Sequence, residues 1–153
     1  MLKIEQILLD DKNENVLKDS FEEINVLEKW IIVKRNGKKG LYRNETFQKF
    51  LDYEWDKFVF DKGYVLAYKY SQITLFDENG NKILDCNWDK IVFYEKGILA
   101  TKNGVQGFFD YNGKSILDCV WKRIEPYPQT LVAYRGRGAK RKLFDYDGNL
   151  IEE

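Results

Sequence analysis

The sequence predicts an all-β protein made of tandem repeats of about 33 residues, and three observations support this prediction. Trp55, Trp88 and Trp121 recur at intervals of 33 residues, and a fixed period of roughly 20–50 residues is typical of repeat architectures. The apolar runs inside each period are short and rich in β-branched and aromatic residues, as in β-strands. Asn-Gly, Asp-Gly and Lys-Gly pairs separate these runs and favour the tight turns of β-hairpins.

The repeat accounts for nearly the whole chain. Trp55 and Trp88 open the similar stretches W-D-K-F-V-F and W-D-K-I-V-F, and W-K-R-I begins at Trp121. Phe21 stands where a further Trp is expected, at the head of a more divergent copy. We therefore predict that 1–153 form a single domain, which consists of a half-repeat at 1–20 and four repeats at 21–54, 55–87, 88–120 and 121–153.

The third full repeat is the cleanest copy, and its apolar runs predict strands at 90–94, 98–102, 106–110 and 115–118. A turn of the form Asp-x-x-Gly recurs at 77–80, 110–113 and 145–148. In each turn we expect the Asp side chain to accept backbone N–H groups and the Gly to supply a positive φ.

Two alternatives to this architecture are open from the sequence. Apolar residues in 16–30 and 45–58 also fall at helical spacing, so short helices are an alternative within residues 15–55. The other alternative is a propeller-like arrangement. Because a four-stranded propeller blade usually takes about 40 residues or more, we favour an open, twisted antiparallel array of hairpins with edge strands that must be paired or blunted.

The stretch 107–114, G-F-F-D-Y-N-G-K, resembles the G-F-I-D-x-x-G-K signature of bacterial WG repeats. The stretch 97–104 is similar to another run of that family. The Trp that names the family is absent, with Gln106 and Lys39 in its place, so the chain resembles a divergent member. The resemblance implies a bacterial interaction protein without catalytic activity, similar to the immunity proteins that neutralise toxins of polymorphic toxin systems.

Composition argues against several classes of function. The 25 basic and 25 acidic residues cancel, so the chain as a whole exerts no long-range attraction on nucleic acid or membranes. No apolar run approaches the ~20 residues that span a bilayer, and the start does not resemble a signal peptide. We therefore expect a cytoplasmic protein, in which Cys86 and Cys119 are buried reduced thiols rather than a disulfide.

The sequence also predicts that the protein is not an enzyme. It contains no His, which is the commonest metal ligand and acid–base group. It shows no nucleophile beside a base, no phosphate-binding loop and no Cys/His metal spacing. The turn acids lack the further oxygen ligands of a calcium loop. We expect no cofactor and no metal.

Three features are candidates for binding. The first is the stretch 135–142, which contains a two-residue insertion and the cations Arg135, Arg137, Lys140, Arg141 and Lys142. Such a cluster can bind phosphate groups, meet an acidic protein surface or be solvated. The second is a tyrosine stripe, which is either an outward binding face or core, formed by Tyr68, Tyr70 and Tyr134. The third is Trp30, which lies outside the repeat register and is expected at the surface.

These observations predict a protein-interaction module whose partner is a protein, such as a toxin domain; nucleic acid and membranes are not the expected partners. The alternative, from another class, is a module that binds cell-wall glycan or nucleic acid through aromatic faces and basic loops. The repeated Trp residues are expected to be core anchors rather than a ladder for ligand stacking.

Overall fold

The computed structural model describes residues 4–152, apart from the side chain of Cys86. Throughout this range the chain forms strands and turns and contains no helix. The predicted all-β class is confirmed. The alternative of short helices within 15–55 is wrong, because turns interrupt both of the helically spaced stretches. Turns at 27–29 and 44–48 end one strand and begin the next. The alternation of inward and outward side chains starts again after each turn, so apolar residues on either side of it happen to fall at helical spacing. Within the described range no helix could cross a membrane.

The strands form four sheets, and each sheet is an antiparallel meander of four strands in chain order. The first contains β1 (Glu23–Val26), β2 (Trp30–Arg35), β3 (Lys38–Arg43) and β4 (Lys49–Trp55). The second contains β5 (Lys57–Asp61), β6 (Tyr64–Lys69), β7 (Gln72–Asp77) and β8 (Lys82–Trp88). The third contains β9 (Lys90–Tyr94), β10 (Gly97–Lys102), β11 (Val105–Phe109) and β12 (Ser115–Trp121). The fourth contains β13 (Arg123–Pro126), β14 (Leu131–Tyr134), β15 (Lys142–Phe144) and β16 (Leu150–Glu152).

The 33-residue period is visible in the sheets. The first strands of the last three sheets begin 33 residues apart, at Lys57, Lys90 and Arg123. Four strands fit into so short a unit because each has at most seven residues. The four strands predicted for one unit are therefore present, and their meander is also the topology of a propeller blade, so a length of 33 residues is no argument against such a blade. The choice between an open array and a propeller-like arrangement stays a prediction.

The Asp-led turns have the expected geometry. Oδ1 of Asp110 accepts the backbone N–H groups of Asn112 and Lys114, both at 2.9 Å. Gly113 has a φ of +89°, and a Cβ added there would lie 2.2 Å from the carbonyl oxygen of Ile83. The same pair of hydrogen bonds recurs at the turns led by Asp10, Asp77 and Asp145.

The chain divides into two compact units, one with described residues 4–59 and 67–70 and the other with 60–66 and 71–152. In the first unit the half-repeat packs on the first sheet through a core of Leu17, Phe21, Ile31, Val33 and Tyr42. In the second unit a core joins the third and fourth sheets and consists of Leu99, Phe108, Leu117, Trp121, Ile124, Leu131 and Ala133. Burial of this apolar surface is what stabilises each unit.

Gln106 links two successive repeats. Its Oε1 accepts the backbone N–H of Ile124 at 2.7 Å, so a residue of β11 is bonded to β13 of the next sheet. Gln6, at the equivalent position of the half-repeat, accepts the N–H of Ile24 at 2.9 Å. A glutamine amide thus links successive repeats at two equivalent positions.

Candidate functional site

The basic stretch forms the connection between β14 and β15 and borders a cavity. Gly138 has a φ of +79°, and the N–H of Ala139 donates to the carbonyl oxygen of Gly136 at 3.2 Å, which folds the inserted residues into a turn. The cavity has a volume of about 500 Å³ and is lined by Lys122, Arg123, Tyr134, Gly136, Arg137, Gly138 and Ala139. We call this region, residues 135–142 with Lys122, Arg123 and Tyr134, the basic hairpin.

Arg123 of the basic hairpin is paired with Glu125 at 3.0 Å, but most of the other cations of this region have no such partner among the described residues. No acidic residue occurs between Glu125 and Asp145. Within the described part of the chain, no carboxylate forms an ion pair with four exposed cations, namely Arg135, Arg137, Lys140 and Arg141. Unpaired like charges create a local positive potential that extends about 8 Å at physiological ionic strength. Such a potential attracts an acidic surface even though the net charge of the chain is zero.

Arg135 differs from the other cations of the basic hairpin because it has an internal contact. Its guanidinium carbon lies 4.7 Å from the centre of the Trp121 ring. Lys69 over Trp55, Lys102 over Trp88 and Arg35 over Phe21 form the equivalent pairs, at 5.3, 5.6 and 4.9 Å. A cation at the end of the second strand therefore covers the aromatic anchor in every repeat. The 14-residue spacing between anchor and cation is the sequence signal that could have revealed this pattern.

The aromatic anchors differ in burial. Trp55 and Trp121 are buried, as is Phe21, whereas Trp88 is half-buried. The ring of Phe144 meets that of Trp121 edge-on, with centroids 5.4 Å apart. These contacts support the interpretation of Trp55 and Trp121 as core anchors.

The tyrosines of the predicted stripe are divided between the two units. Tyr134 is half-buried beneath the guanidinium of Arg123, 4.2 Å from the ring centre, and Tyr68 lies similarly beneath Lys57. Tyr70 follows the end of β6, has a φ of +52° and is 79% exposed. Tyr68 and Tyr70 belong to the first unit and Tyr134 to the second. Tyr134 lies with the cations of the basic hairpin.

Tyr70 is held in place by a small charged cluster. Its backbone N–H donates to Oδ2 of Asp56 at 2.8 Å, and Nζ of Lys38 contacts Oδ1 of Asp56 at 2.5 Å. Nζ of Lys38 also lies 5.2 Å from the centre of the Tyr70 ring. The hydrogen bond from Lys38 lowers the pKa of the Asp56 carboxyl, and the N–H of Tyr70 lowers it further.

The expectation that Trp30 lies at the surface is wrong. Trp30 begins β2 and is only 6% exposed. The ring of Phe50 meets it edge-on at 4.9 Å, and the guanidinium of Arg43 lies 5.4 Å from its centre. Trp30 is buried because β3 and β4 bring these two side chains against it, which the repeat register does not reveal.

A second, smaller cavity was not indicated by the sequence. It has a volume of about 180 Å³ and is lined by Tyr94, Glu95, Lys96, Pro126, Tyr127, Pro128 and Tyr146. The hydroxyl of Tyr146 donates to the carbonyl oxygen of Tyr127 at 2.5 Å, and Nζ of Lys96 lies 4.9 Å from the Tyr146 ring centre. Burial raises the pKa of Tyr146. The repeated D-Y at 110–111 and 145–146 is the signal that could have pointed to this cleft.

The thiol and the turn carboxylates, which could in principle react or bind metal, have structural partners. The thiol of Cys119 is free and half-buried, its S–H lies 3.5 Å from the carbonyl oxygen of Val105, and burial raises its pKa. In the described residues, no three side chains among His, Cys, Asp and Glu lie together as a metal site would require. The turn acids are occupied with backbone N–H groups, as described above.

Taken together, the fold and the basic hairpin define an all-β repeat protein with a locally cationic surface. No family model matches the chain, and no curated protein matches it. Among solved structures, Hsv2 of Kluyveromyces lactis is similar with a TM-score of 0.39 and 13% identity, over 84% of this chain and 48% of that chain. PorZ of Porphyromonas gingivalis, described as a surface component of the type-IX secretion system, is similar with a TM-score of 0.40 and 5% identity, over 89% of this chain and 22% of that one. The chain thus spans less than half of each matched structure, and TM-scores this low carry no argument about function.

Proposed function

We propose that this chain is a non-catalytic protein-interaction module that binds an acidic protein surface through the basic hairpin. The observation that carries the proposal is the group of exposed cations without carboxylate partners, Arg135, Arg137, Lys140 and Arg141, beside a cavity of about 500 Å³. Exposed charges of this kind steer association and select partners more than they add affinity. The rings of Trp121 and Phe144 pack edge-on against each other and anchor the strands that flank the basic hairpin.

Within this function we propose that the partner is a bacterial toxin domain, which the module neutralises in the cytoplasm by covering it. The resemblance to WG repeats supports this proposal. An inhibitor needs a stable surface and no catalytic group, and toxin–inhibitor pairs commonly associate through complementary charge.

The test measures association kinetics with a purified toxin domain, taken from the neighbouring gene where that gene encodes one. Changing Arg137, Lys140 and Arg141 together to Gln should lower the association rate constant by about tenfold or more at low salt, because charge steering raises such rates by factors of about 10–1,000. The matched control changes three exposed lysines elsewhere, Lys12, Lys62 and Lys114, to Gln and should leave the rate nearly unchanged.

Two results would count against the proposal. The first is an unchanged association rate in the hairpin variant. The second is tight binding of arbitrary duplex DNA that falls steeply with salt, which is the signature of a nucleic-acid-binding protein.

A glycan-binding module is a second candidate, favoured by the cleft lined by Tyr94, Tyr127 and Tyr146. Aromatic walls with a few polar groups are typical of small-ligand sites. Titration with soluble peptidoglycan fragments tests it through intrinsic fluorescence, with Tyr127→Ala as the variant that should abolish any signal. Tyr127 suits this purpose because it is 49% exposed and contributes little to the core.

A further inference from the structure

In three of the four repeats, the hairpin between the second and third strands is tied to an internal carboxylate. Oδ2 of Asp89 accepts the backbone N–H of Asn103 at 2.9 Å, and Oδ2 of Asp56 accepts that of Tyr70 at 2.8 Å. In the first repeat, Oε2 of Glu22 lies 3.4 Å from the N–H of Gly37. In each case the acid directly follows the aromatic anchor of the repeat. The carboxylate therefore satisfies a backbone donor at the tip of the hairpin.

The fourth repeat makes the same backbone hydrogen bond at residue 122, but its hairpin is longer and it lacks this carboxylate. Lys122 follows Trp121, and its N–H donates to the carbonyl oxygen of Tyr134 at 2.8 Å. Asp89 and Asp56 make the same backbone bond, to Thr101 and Tyr68, also at 2.8 Å. Residue 122 thus stands where the other repeats place an acid, yet its side chain is a cation.

The space beside Lys122 is open and lined by three cations, of which Arg123 is paired with Glu125 and Lys122 and Arg137 are exposed. It is the cavity of about 500 Å³ whose walls include Lys122, Arg123, Gly136, Arg137 and Gly138. A Cβ added to Gly136 or Gly138 would meet no atom within 4 Å, so the backbone of the turn can be approached closely. Arginine side chains and exposed N–H groups are the donors that bind a carboxylate most strongly.

We propose that this cavity binds an Asp or Glu side chain of the partner protein, which supplies from outside the carboxylate that the other three repeats carry themselves. The inference rests on the proposed function and specifies the chemistry of the contact. A carboxylate is favoured over a phosphate because the groups that occupy the equivalent places are carboxylates, those of Glu22, Asp56 and Asp89.

The decisive variant is Lys122→Asp, which restores the internal acid of the other repeats. The probe is hexaglutamate, and its binding is followed by the backbone amide resonances of residues 135–139 in the full chain at physiological ionic strength, where distant charges are screened. Wild-type protein should show shifts confined to the basic hairpin, and Lys122→Asp should weaken binding by about tenfold or more, since a hydrogen bond to a charged group is worth roughly 1.5–3 kcal/mol. Arg137→Gln should weaken binding without introducing a carboxylate.

Lys114→Asp is the matched control, because it makes the same change of charge at an exposed side chain of the same unit outside the basic hairpin. It should leave hexaglutamate binding within about twofold, as expected for a screened charge at a distance. Lys122→Asp should also fold and melt at or above the wild-type temperature, because the acid restores a bond found in the other repeats.

Three results would overturn the inference: no shift of residues 135–139 with hexaglutamate, equal weakening by Lys114→Asp, or tighter binding of inorganic phosphate than of hexaglutamate. The outcome is separable from that of the proposed function. If the hairpin variant with three Gln residues slows toxin association while hexaglutamate causes no shift, the interaction surface stands and the carboxylate pocket fails. If hexaglutamate binds but the variant with three Gln residues associates with the toxin at the wild-type rate, the carboxylate pocket stands and the proposed interaction surface fails.

Discussion

The guanidinium of Arg135 lies over the ring of Trp121, with 4.7 Å between its central carbon and the ring centre. This contact separates Arg135 from its neighbours in the basic hairpin, because it joins a surface cation to a core anchor. The recurrence of the pair at Lys69 and Trp55 and at Lys102 and Trp88 shows that it belongs to the repeat rather than to the binding surface alone.

Arg135→Gln should therefore lower the free energy of unfolding by about 0.5–1 kcal/mol, the usual value of an exposed cation–π contact. Arg137→Gln should change it by less than about 0.5 kcal/mol, as surface substitutions generally do. Urea denaturation monitored by Trp fluorescence measures both. Equal effects of the two substitutions would show that the contact with Trp121 contributes nothing.

The two tryptophans Trp121 and Trp88 should respond differently to truncation. Trp121 is 5% exposed and packs within the core of the second unit, so Trp121→Ala should cost about 3–5 kcal/mol. Trp88 is half-buried, with Lys102 over its ring, so part of its surface is already in water and Trp88→Ala should cost clearly less. Chemical denaturation of both variants tests the order; a larger loss for Trp88→Ala would contradict the burial seen here.

Gly113→Ala should be among the most damaging changes at a turn. Its φ of +89° is strained for any residue with a Cβ, and that Cβ would lie 2.2 Å from the carbonyl oxygen of Ile83. We expect a loss of about 1–3 kcal/mol or more, from the strained backbone and the contact together. Gly136→Ala is the control, since its Cβ would meet nothing within 4 Å. Thermal unfolding of the two variants should differ clearly, and similar melting temperatures would refute the turn argument.

Acid should destabilise the protein partly through Asp56. Its pKa is lowered from the ordinary value of 3.8 by the hydrogen bond from Lys38 and by the N–H of Tyr70. A carboxyl with a lowered folded-state pKa stabilises the fold above its unfolded-state pKa, and this contribution is lost as pH falls through the folded-state pKa. The melting temperature of the wild type should therefore fall more steeply than that of Asp56→Asn below about pH 4.

Lys38→Met removes the main cause of the lowered pKa of Asp56 and should flatten the same part of the pH profile. Other acids with lowered pKa values, among them Asp19 and Asp145, titrate in all three proteins and cancel in the comparison. Parallel pH profiles for wild type and Asp56→Asn would mean that the Lys38–Asp56 contact does not stabilise the folded state.

The sequence determined the local structure of this protein, because its signals are periodic and short-range. The 33-residue spacing of Trp55, Trp88 and Trp121 marked the period, and the Asp-led turns at 110–113 and 145–148 marked where strands reverse. The strands predicted at 90–94, 98–102, 106–110 and 115–118 correspond to β9 through β12 within a few residues. Turn hydrogen bonds and positive φ angles depend on residues only a few positions apart, so sequence alone suffices for them.

The tertiary structure decided which side chains are free to bind. Trp30 is buried because Phe50 and Arg43, from other strands, close over it. Tyr134 lies beneath Arg123, and the cleft at Tyr146 forms where the turn after β15 meets the connection between β13 and β14 and the turn between β9 and β10. Burial and pairing depend on contacts between residues far apart in the chain, which a repeat spacing does not specify. The open cavity beside Lys122 likewise follows from the sheet that holds residue 122 where the other repeats place an acid.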